Sequence, residues 1–222
     1  VATKNIADVN PTVSEIIAPA VTPGHSTIAL IQNGLNIEKP LIATFPKNVI
    51  LSGVSLIGAT ETKPGSILHD DHDHLIIGPF INPSISHDVQ LAATKKFVEI
   101  YNASGKVDCE LNENVGFVRW RKLLYNAGYN SACTITRMDT TRMRIAKQPI
   151  DDLVRPLMQE IWNISKAAGH GLPDGIVEKM INVDPWTFFK PSMQQDIEKV
   201  WSPFLINEFG ELMKLLGQLH RI

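Results

Sequence analysis

Ser26-Thr27-Ile28-Ala29-Leu30-Ile31 runs directly into Gln32-Asn33-Gly34. A continuous apolar run of strand length, rich in β-branched residues, is what a strand covered on both faces requires. Asn-Gly is a strong turn signal. The stretch is therefore read as a buried parallel strand that ends abruptly. Around it the pattern repeats. Thr12 to Val21 and Ile37 to Phe45 are expected to be short helices, and Asn48 to Leu56 a second buried strand. Val1 to Asn5 reads as the end of a preceding strand. Strands alternating with helices argue for a parallel sheet carrying helices on its faces. In such sheets ligands bind beyond the carboxyl ends of the strands, so Asn33 would present its amide at that edge. A plain Asn-Gly turn explains the same residues equally well.

Ser66 to His69 and His74 to Ile77 are read as two short strands joined by the polar turn Asp70-Asp71-His72-Asp73. Asp88 to Asn102 follows as a helix and Lys106 to Leu111 as a short strand. From Asn114 onward the pattern is helical. Its clearest case is Ile150, Leu153, Val154, Leu157, Met158 and Ile161, which follow helical periodicity. Pro156 lies inside that stretch, so the helix must start late or kink there. Gly169 and Gly171 stop it. A last helix is expected to start at Ser202 and Pro203. The chain thus divides near residue 112, with an α/β part over 1–111 and an all-helical part over 112–222. In two-domain enzymes of this kind the crevice between the parts is the expected ligand site.

Composition excludes little. The chain has 222 residues, 44% of them hydrophobic and 20% charged, which is ordinary for a globular protein with a real core. A formal net charge of −2 gives no case for nucleic-acid binding. No apolar run reaches membrane-spanning length, and the first residues lack a signal-peptide layout, so the cytoplasm is the default compartment. Val1 in place of Met suggests that the sequence does not open at a natural start. Cys109 and Cys133 have no adjacent histidine and are read as small core residues.

The chemistry concentrates in Val118-Arg119-Trp120-Arg121-Lys122-Leu123-Leu124-Tyr125-Asn126-Ala127-Gly128-Tyr129-Asn130. Spacings of four place Lys122, Asn126 and Asn130 on one helix face. Lysine can donate a proton or hold an oxyanion, and asparagine can both donate to and accept from a hydroxy or keto acid. Without further context the same row is a solvated helix face. Lys4, at a strand end, could meet a phosphate or a carboxylate, or be an ordinary surface lysine. Ser192-Met193-Gln194-Gln195-Asp196 reads as a capped helix start, with Ser192 as the cap. The run from His69 to His74 has the residue types of a zinc or manganese site but also of a solvated turn, and no second cluster supplies further ligands. No metal is assigned. There is no Gly-x-Gly-x-x-Gly, Gly-x-Ser-x-Gly, His-Glu-x-x-His or Walker loop.

In this order the motifs resemble the ketopantoate reductase (2-dehydropantoate 2-reductase) family, in a fungal-like form, over nearly the whole chain. They are the lysine at Lys4, Gln32-Asn33-Gly34, Gly58-Ala59, Pro64-Gly65-Ser66-Ile67-Leu68-His69 with Ile77-Gly78, the Lys122, Asn126, Asn130 row, and Ser192-Met193-x-x-Asp196. The resemblance implies an α/β plus all-α fold. A truncated Rossmann-type parallel-sheet domain that binds NADP would precede a helical domain like the C-terminal part of 6-phosphogluconate dehydrogenase. It implies an oxidoreductase in which NADPH reduces 2-dehydropantoate to pantoate, in pantothenate and coenzyme A biosynthesis. Lys122 would be the catalytic acid. Asn126, Asn130 and Ser192 would bind substrate, and Lys4, Asn33 and Ala59 would line the cofactor side. A homodimer is a further expectation, since a sheet without its leading strands exposes an edge.

Three features depart from the family. The glycine-rich turn that opens it, with its βαβ unit, is absent from this sequence. Phe204 stands where the family has a glutamate, and Phe189 where it has an asparagine. These differences leave open a related reductase of another 2-keto acid, or a catalytically silent relative serving dimerisation or protein binding.

Overall fold

The computed structural model describes residues 1–3, 5, 10–63 and 65–200. Lys4 and the expected helix from Ser202, with Phe204, lie outside the described residues. Two compact units follow one another, the first running from Val1 to Lys122 and the second starting at Leu123. The first unit is α/β and the second helical. The first unit extends past residue 112, the division expected from sequence, because the opening turns of a helix pack on the sheet.

In the first unit, α1 (Val13–Ile17) leads through a short 3-10 turn to β1 (Thr27–Leu30). Thr12 and Glu15 close a reciprocal capping box at the start of α1. Then come α2 (Lys39–Thr44), β2 (Val49–Leu56), β3 (Ala59–Lys63), β4 (Ser66–His69), β5 (His74–Pro79), α3 (His87–Tyr101), β6 (Asp108–Leu111) and α4 (Val115–Tyr125). The main sheet has the order β1-β2-β5-β6, with parallel pairs β1·β2 and β5·β6 and an antiparallel central pair. Val1 is not in a strand, but it lies along the free edge of β1. Its N–H groups donate to Ala29 O at 2.6 Å, and its carbonyl accepts from Ile31 N at 3.1 Å.

Alternation along β2 sorts its side chains to two cores. Val49 and Leu51 join Leu75, Ile77 and Cys109 on the face covered by α3, through Phe97 and Tyr101. Ile50 joins Ile28, Leu30 and Leu41 on the face covered by α1 and α2. Further along that second face, Val54 and Ile76 meet Val115 and Val118 of α4. Both faces are therefore covered, and this is why β1 and β2 read as nearly unbroken apolar runs.

The two strands either side of the histidine-rich turn do not pair with each other as expected. β4 pairs with β3 in a separate two-stranded sheet, and β5 pairs with β2. Leu75, Ile76 and Ile77 are buried whereas every residue of β4 is exposed, so burial draws β5 into the main sheet and leaves β4 outside it. Gly58 closes the small sheet. A Cβ there would sit 2.4 Å from Asp71 Cβ, and its carbonyl accepts from Asp70 N at 3.1 Å.

The second unit continues from α4 through a π-turn (Asn126–Asn130), α5 (Ser131–Thr136), α6 (Thr140–Ala146), a second π-turn (Ile150–Val154), α7 (Arg155–Ala167), α8 (Ile176–Ile181) and α9 (Ser192–Val200). Pro156 closely follows the second π-turn, in a helix that is unbroken over residues 148–167, so the chain takes an irregular turn just before the proline rather than starting the helix late. Gly169, at φ +80°, stops it. The core centres on Tyr129, Met143, Val154 and Met158, all fully buried. Among the described residues no helix is long and apolar enough to cross a membrane.

Gly78 marks a close approach inside the first unit. A Cβ there would lie 2.0 Å from the carbonyl oxygen of Asn112, whose own N–H donates to Ile77 O at 2.8 Å. Backbone cannot yield as a side chain can. Gly78→Ala should therefore lower unfolding free energy by about 2 kcal/mol or more. Gly171→Ala, at an exposed glycine in ordinary backbone whose Cβ would meet nothing closer than Lys166 Cγ at 4.0 Å, should change it by less than ~0.5 kcal/mol. Equal urea midpoints for the two variants would contradict this account.

Candidate active site

The first unit gathers its polar groups beyond the end of β1. Gln32 is buried, and its Nε2 donates to Thr3 O at 2.6 Å, which leaves the next residue, Asn33, exposed. Gly34 follows at φ +120°, a conformation few other residues accept. These residues form an open corner at the carboxyl end of the parallel pair β1·β2.

Arg119 of α4 reaches into that corner from below. It is 6% exposed and donates to Gln32 O and Gly34 O, both at 2.9 Å, to Gly53 O at 3.0 Å and to Leu30 O at 3.3 Å. Its Nε lies 2.6 Å from Ser52 Oγ and 2.9 Å from Glu38 Oε1. Ser52 Oγ in turn donates to Glu38 Oε1 at 2.5 Å. Glu38 is fully buried, and its second carboxylate oxygen has no hydrogen-bond partner. Burial pulls the Arg119 pKa down, and Glu38 opposes that. Such a pair is sensitive to partial removal, because losing one member strands a buried charge at a cost of ~3–5 kcal/mol.

One turn beyond Arg119, Lys122 is half-buried, and its Nζ donates to the carbonyl of Ser55 in β2. Burial first, and the like charge of Arg119 second, lower its pKa to about 8. An amine near neutrality that carries a proton at pH 7 is suited to acid catalysis. Ala59 is exposed at the start of β3.

In the second unit the helical stripe expected from sequence is modified. Asn126 and Asn130 lie in a π-turn, whose i→i+5 spacing rotates Asn130 away from a straight α-helical row. Their side chains nonetheless meet, Asn130 Nδ2 donating to Asn126 Oδ1 at 3.2 Å. Asn130 is 5% exposed, and its Oδ1 is buried without a partner. An unsatisfied acceptor of this kind suits a water or a ligand donor. The turn is held by Tyr125, whose hydroxyl donates to Asp184 at 2.6 Å, and by Tyr129, whose hydroxyl donates to Ile181 O at 2.7 Å. Burial raises both phenol pKa values, so both hydroxyls keep their protons. Gly128 allows close packing on α7, since a Cβ there would lie 2.6 Å from Met158 Cε.

Ser192 is the first residue of α9, one position inside the helix from the cap role expected of it, and is exposed. Helix α9 packs against α5 and the Asn126–Asn130 turn, so Asn126, Asn130 and Ser192 belong to neighbouring elements of one unit. Phe189 lies just before α9, and its carbonyl accepts from Thr140 N at 3.1 Å. No role in this arrangement requires its ring.

The histidine-rich turn takes a different form. Among the described residues no group of three His, Cys, Asp or Glu could hold a metal ion. His72 lies 2.9 Å from Asp108 and His74 3.5 Å from Glu110, each facing an acid of β6. Cys109 and Cys133 are buried, which pushes their thiol pKa values to about 11 and about 12 and keeps them unreactive.

Arg119 and Glu38 were not singled out by sequence reading. Their signals are faint but real. Ser52 and Gly53 interrupt an otherwise apolar strand, and Arg119 precedes Lys122 by one helical turn.

Residues 1–82 match the family model "Ketopantoate reductase PanE/ApbA" and residues 114–220 match "Ketopantoate reductase PanE/ApbA C terminal". An uncharacterized protein of Saccharomyces cerevisiae is 34% identical over 100% of this chain and 65% of its own length. A 2-dehydropantoate 2-reductase of Nostoc is 24% identical over 75% of this chain and 51% of its own length. The chain thus spans about half to two thirds of these curated relatives. The crystal structure of 2-dehydropantoate 2-reductase from Methylococcus capsulatus superposes with a TM-score of 0.73 at 28% identity, covering 98% of this chain and 73% of that one. With both family models matched in order and the fold shared, the chain belongs to the ketopantoate reductase family.

Proposed function

We propose that this protein is an NADPH-dependent reductase of a small 2-keto acid, with ketopantoate (2-dehydropantoate) as substrate and pantoate as product. It would act in the cytoplasm, on the route to pantothenate and coenzyme A. Family membership supports the class of reaction. The observation that carries the reading is Lys122, a half-buried amine held on Ser55 O with a pKa brought down to about 8.

The corner after β1 suits the flat nicotinamide end of the cofactor. Asn33 offers an exposed amide there, and Gly34 leaves the backbone uncovered. Ala59 and, by family resemblance alone, Lys4 complete the cofactor side. When bound, NADPH supplies the hydride that reaches the keto carbon. The Lys122 ammonium draws electron density toward the carbonyl oxygen and then gives it a proton, so that the oxygen becomes the product hydroxyl. The lysine is left as a neutral amine and regains its proton from water. Asn126, Asn130 and Ser192 hold the substrate hydroxyl and carboxylate. The unpartnered Oδ1 of Asn130 supports this role, because a buried acceptor without a donor is what a substrate hydroxyl would complete.

With the family's N-terminal glycine-rich unit joined to it, the purified protein should oxidise NADPH in the presence of ketopantoate. Lys122→Ala should cut kcat/KM by roughly 10²–10⁴-fold, and unchanged turnover would remove Lys122 from the role of acid. Since the working form is the ammonium, kcat/KM should be flat from pH 6 to about 7.5 and fall above pH 8, following the pKa of about 8. A rate that instead rises through pH 8 would make the neutral amine the active form. Asn130→Ala should raise KM about tenfold, the equivalent of one lost hydrogen bond of ~1.4 kcal/mol, with little change in kcat. Saturable NADPH binding without ketopantoate turnover would overturn the substrate assignment.

A further inference from the structure

We infer that Arg119 is a positioning residue for Lys122: clamped by Glu38, Ser52 and the strand-end carbonyls, it fixes where α4 meets β2 and holds a permanent positive charge one turn from the amine. The inference rests on the reading of Lys122 as the proton donor, but its geometry stands apart from any substrate.

Arg119 and Lys122 are three residues apart, and their contacts on β2 lie two and three residues apart. Arg119 engages Ser52 Oγ at 2.6 Å and Gly53 O at 3.0 Å, and Lys122 engages Ser55 O. Two successive turns of one helix are thus tied to one stretch of one strand. The arginine end of this pair is by far the firmer. It carries hydrogen bonds to four backbone carbonyls and contacts to Ser52 and Glu38, whereas the lysine end rests on one carbonyl. The register of α4 on β2 is therefore set at Arg119, and Lys122 inherits it. Among the same carbonyls are those of Gln32 and Gly34, so one guanidinium also fixes the corner that is to receive the cofactor.

Charge adds to position. A guanidinium stays protonated at any relevant pH, so it acts on Lys122 as a constant field. Glu38 carries the opposite charge 2.9 Å from Arg119 Nε, so it should offset part of that field at Lys122. Removing the arginine charge and removing the glutamate charge should then move the lysine in opposite directions. A purely mechanical strut would not produce opposite signs.

The test is direct titration of Lys122 by NMR of reductively 13C-methylated lysines, with the resonance assigned by its loss in Lys122→Arg. In the unaltered protein it should titrate near 8. In the double variant Arg119→Met, Glu38→Met, which replaces the pair by apolar groups of similar length, it should move up by roughly half a unit or more. In Glu38→Gln it should move down, and in Arg119→Lys, which keeps the charge, it should stay nearer the unaltered value. Folded variants whose Lys122 titrates unchanged, or shifts in one direction in both charge-removal variants, would reduce Arg119 to a structural strut. If Glu38→Gln alone folds, a fall in the Lys122 pKa supports the proposal and a rise overturns it. Should the shifts appear as expected while ketopantoate is not reduced, the positioning role stands and the substrate reading fails by itself.

Discussion

The first unit depends on one buried ion pair. Helix α4 brings the Arg119 guanidinium under the end of the β1·β2 ladder, at the carboxyl end of β1 and the middle of β2, where strand carbonyls run out of ladder partners. Those orphan acceptors need donors, and a five-donor fork supplies several at once. Glu38, at the start of α2, balances the charge. Three segments distant in sequence are joined in this way: the turn after β1, the middle of β2, and α4. The pair lies on the same face of β2 as Ile50 and Val54, so the apolar packing of Val115 and Val118 and the polar clamp at Arg119 are successive stretches of one helix–sheet contact. The helix that carries Lys122 is thereby seated by the groups that also shape the corner at Asn33 and Gly34.

The second unit answers a different constraint. Asn126 and Asn130 are held in a π-turn, a geometry that a plain α-helix would have avoided. Gly128 permits it by letting Met158 approach, and Tyr125 and Tyr129 lock it through hydroxyls that bond Asp184 and the Ile181 carbonyl. Asp184 is half-buried, and that burial raises its pKa while the Tyr125 hydroxyl and the nearby Arg144 counter this. The cost of this irregularity is supported by packing on all sides, and its result is one amide oxygen left without a donor. Local irregularity of this kind at a polar cluster is commonly tied to ligand binding rather than to stability.

What could be read from sequence follows from the range of the forces involved. The strand β1, the irregular turn before Pro156 and the stop at Gly169 are set by local pattern, and they appear as expected. Lys122 is singled out in the sequence because it stands in a row with Asn126 and Asn130. The pairing of β4 and β5 was not, because sequence adjacency suggests a hairpin while long-range burial decides otherwise: Leu75 to Ile77 are needed in the main sheet, and the exposed β4 is left to pair with β3. Arg119 was hidden for a similar reason. In a run containing three cations its neighbours Arg121 and Lys122 resemble it, and only the fold reveals that its partners lie 66 to 89 residues away. The π-turn leaves no pattern of its own beyond a glycine.

The division of labour proposed for Arg119 and Lys122 follows from their chemistry. A proton donor must be able to lose its proton, and lysine does so readily once burial and a like charge weaken its hold. Arginine cannot, which makes it useless as the acid but dependable as a fixed charge and as a planar fork for carbonyls. Exchanging the two would fail at both positions. A lysine at 119 would keep the charge but has three donors where the fork meets six acceptor groups. An arginine at 122 would stabilise an oxyanion but could not protonate it. The order Arg-x-x-Lys along α4 thus places the immobile charge at the buried end of the contact and the titratable one where solvent can restore its proton.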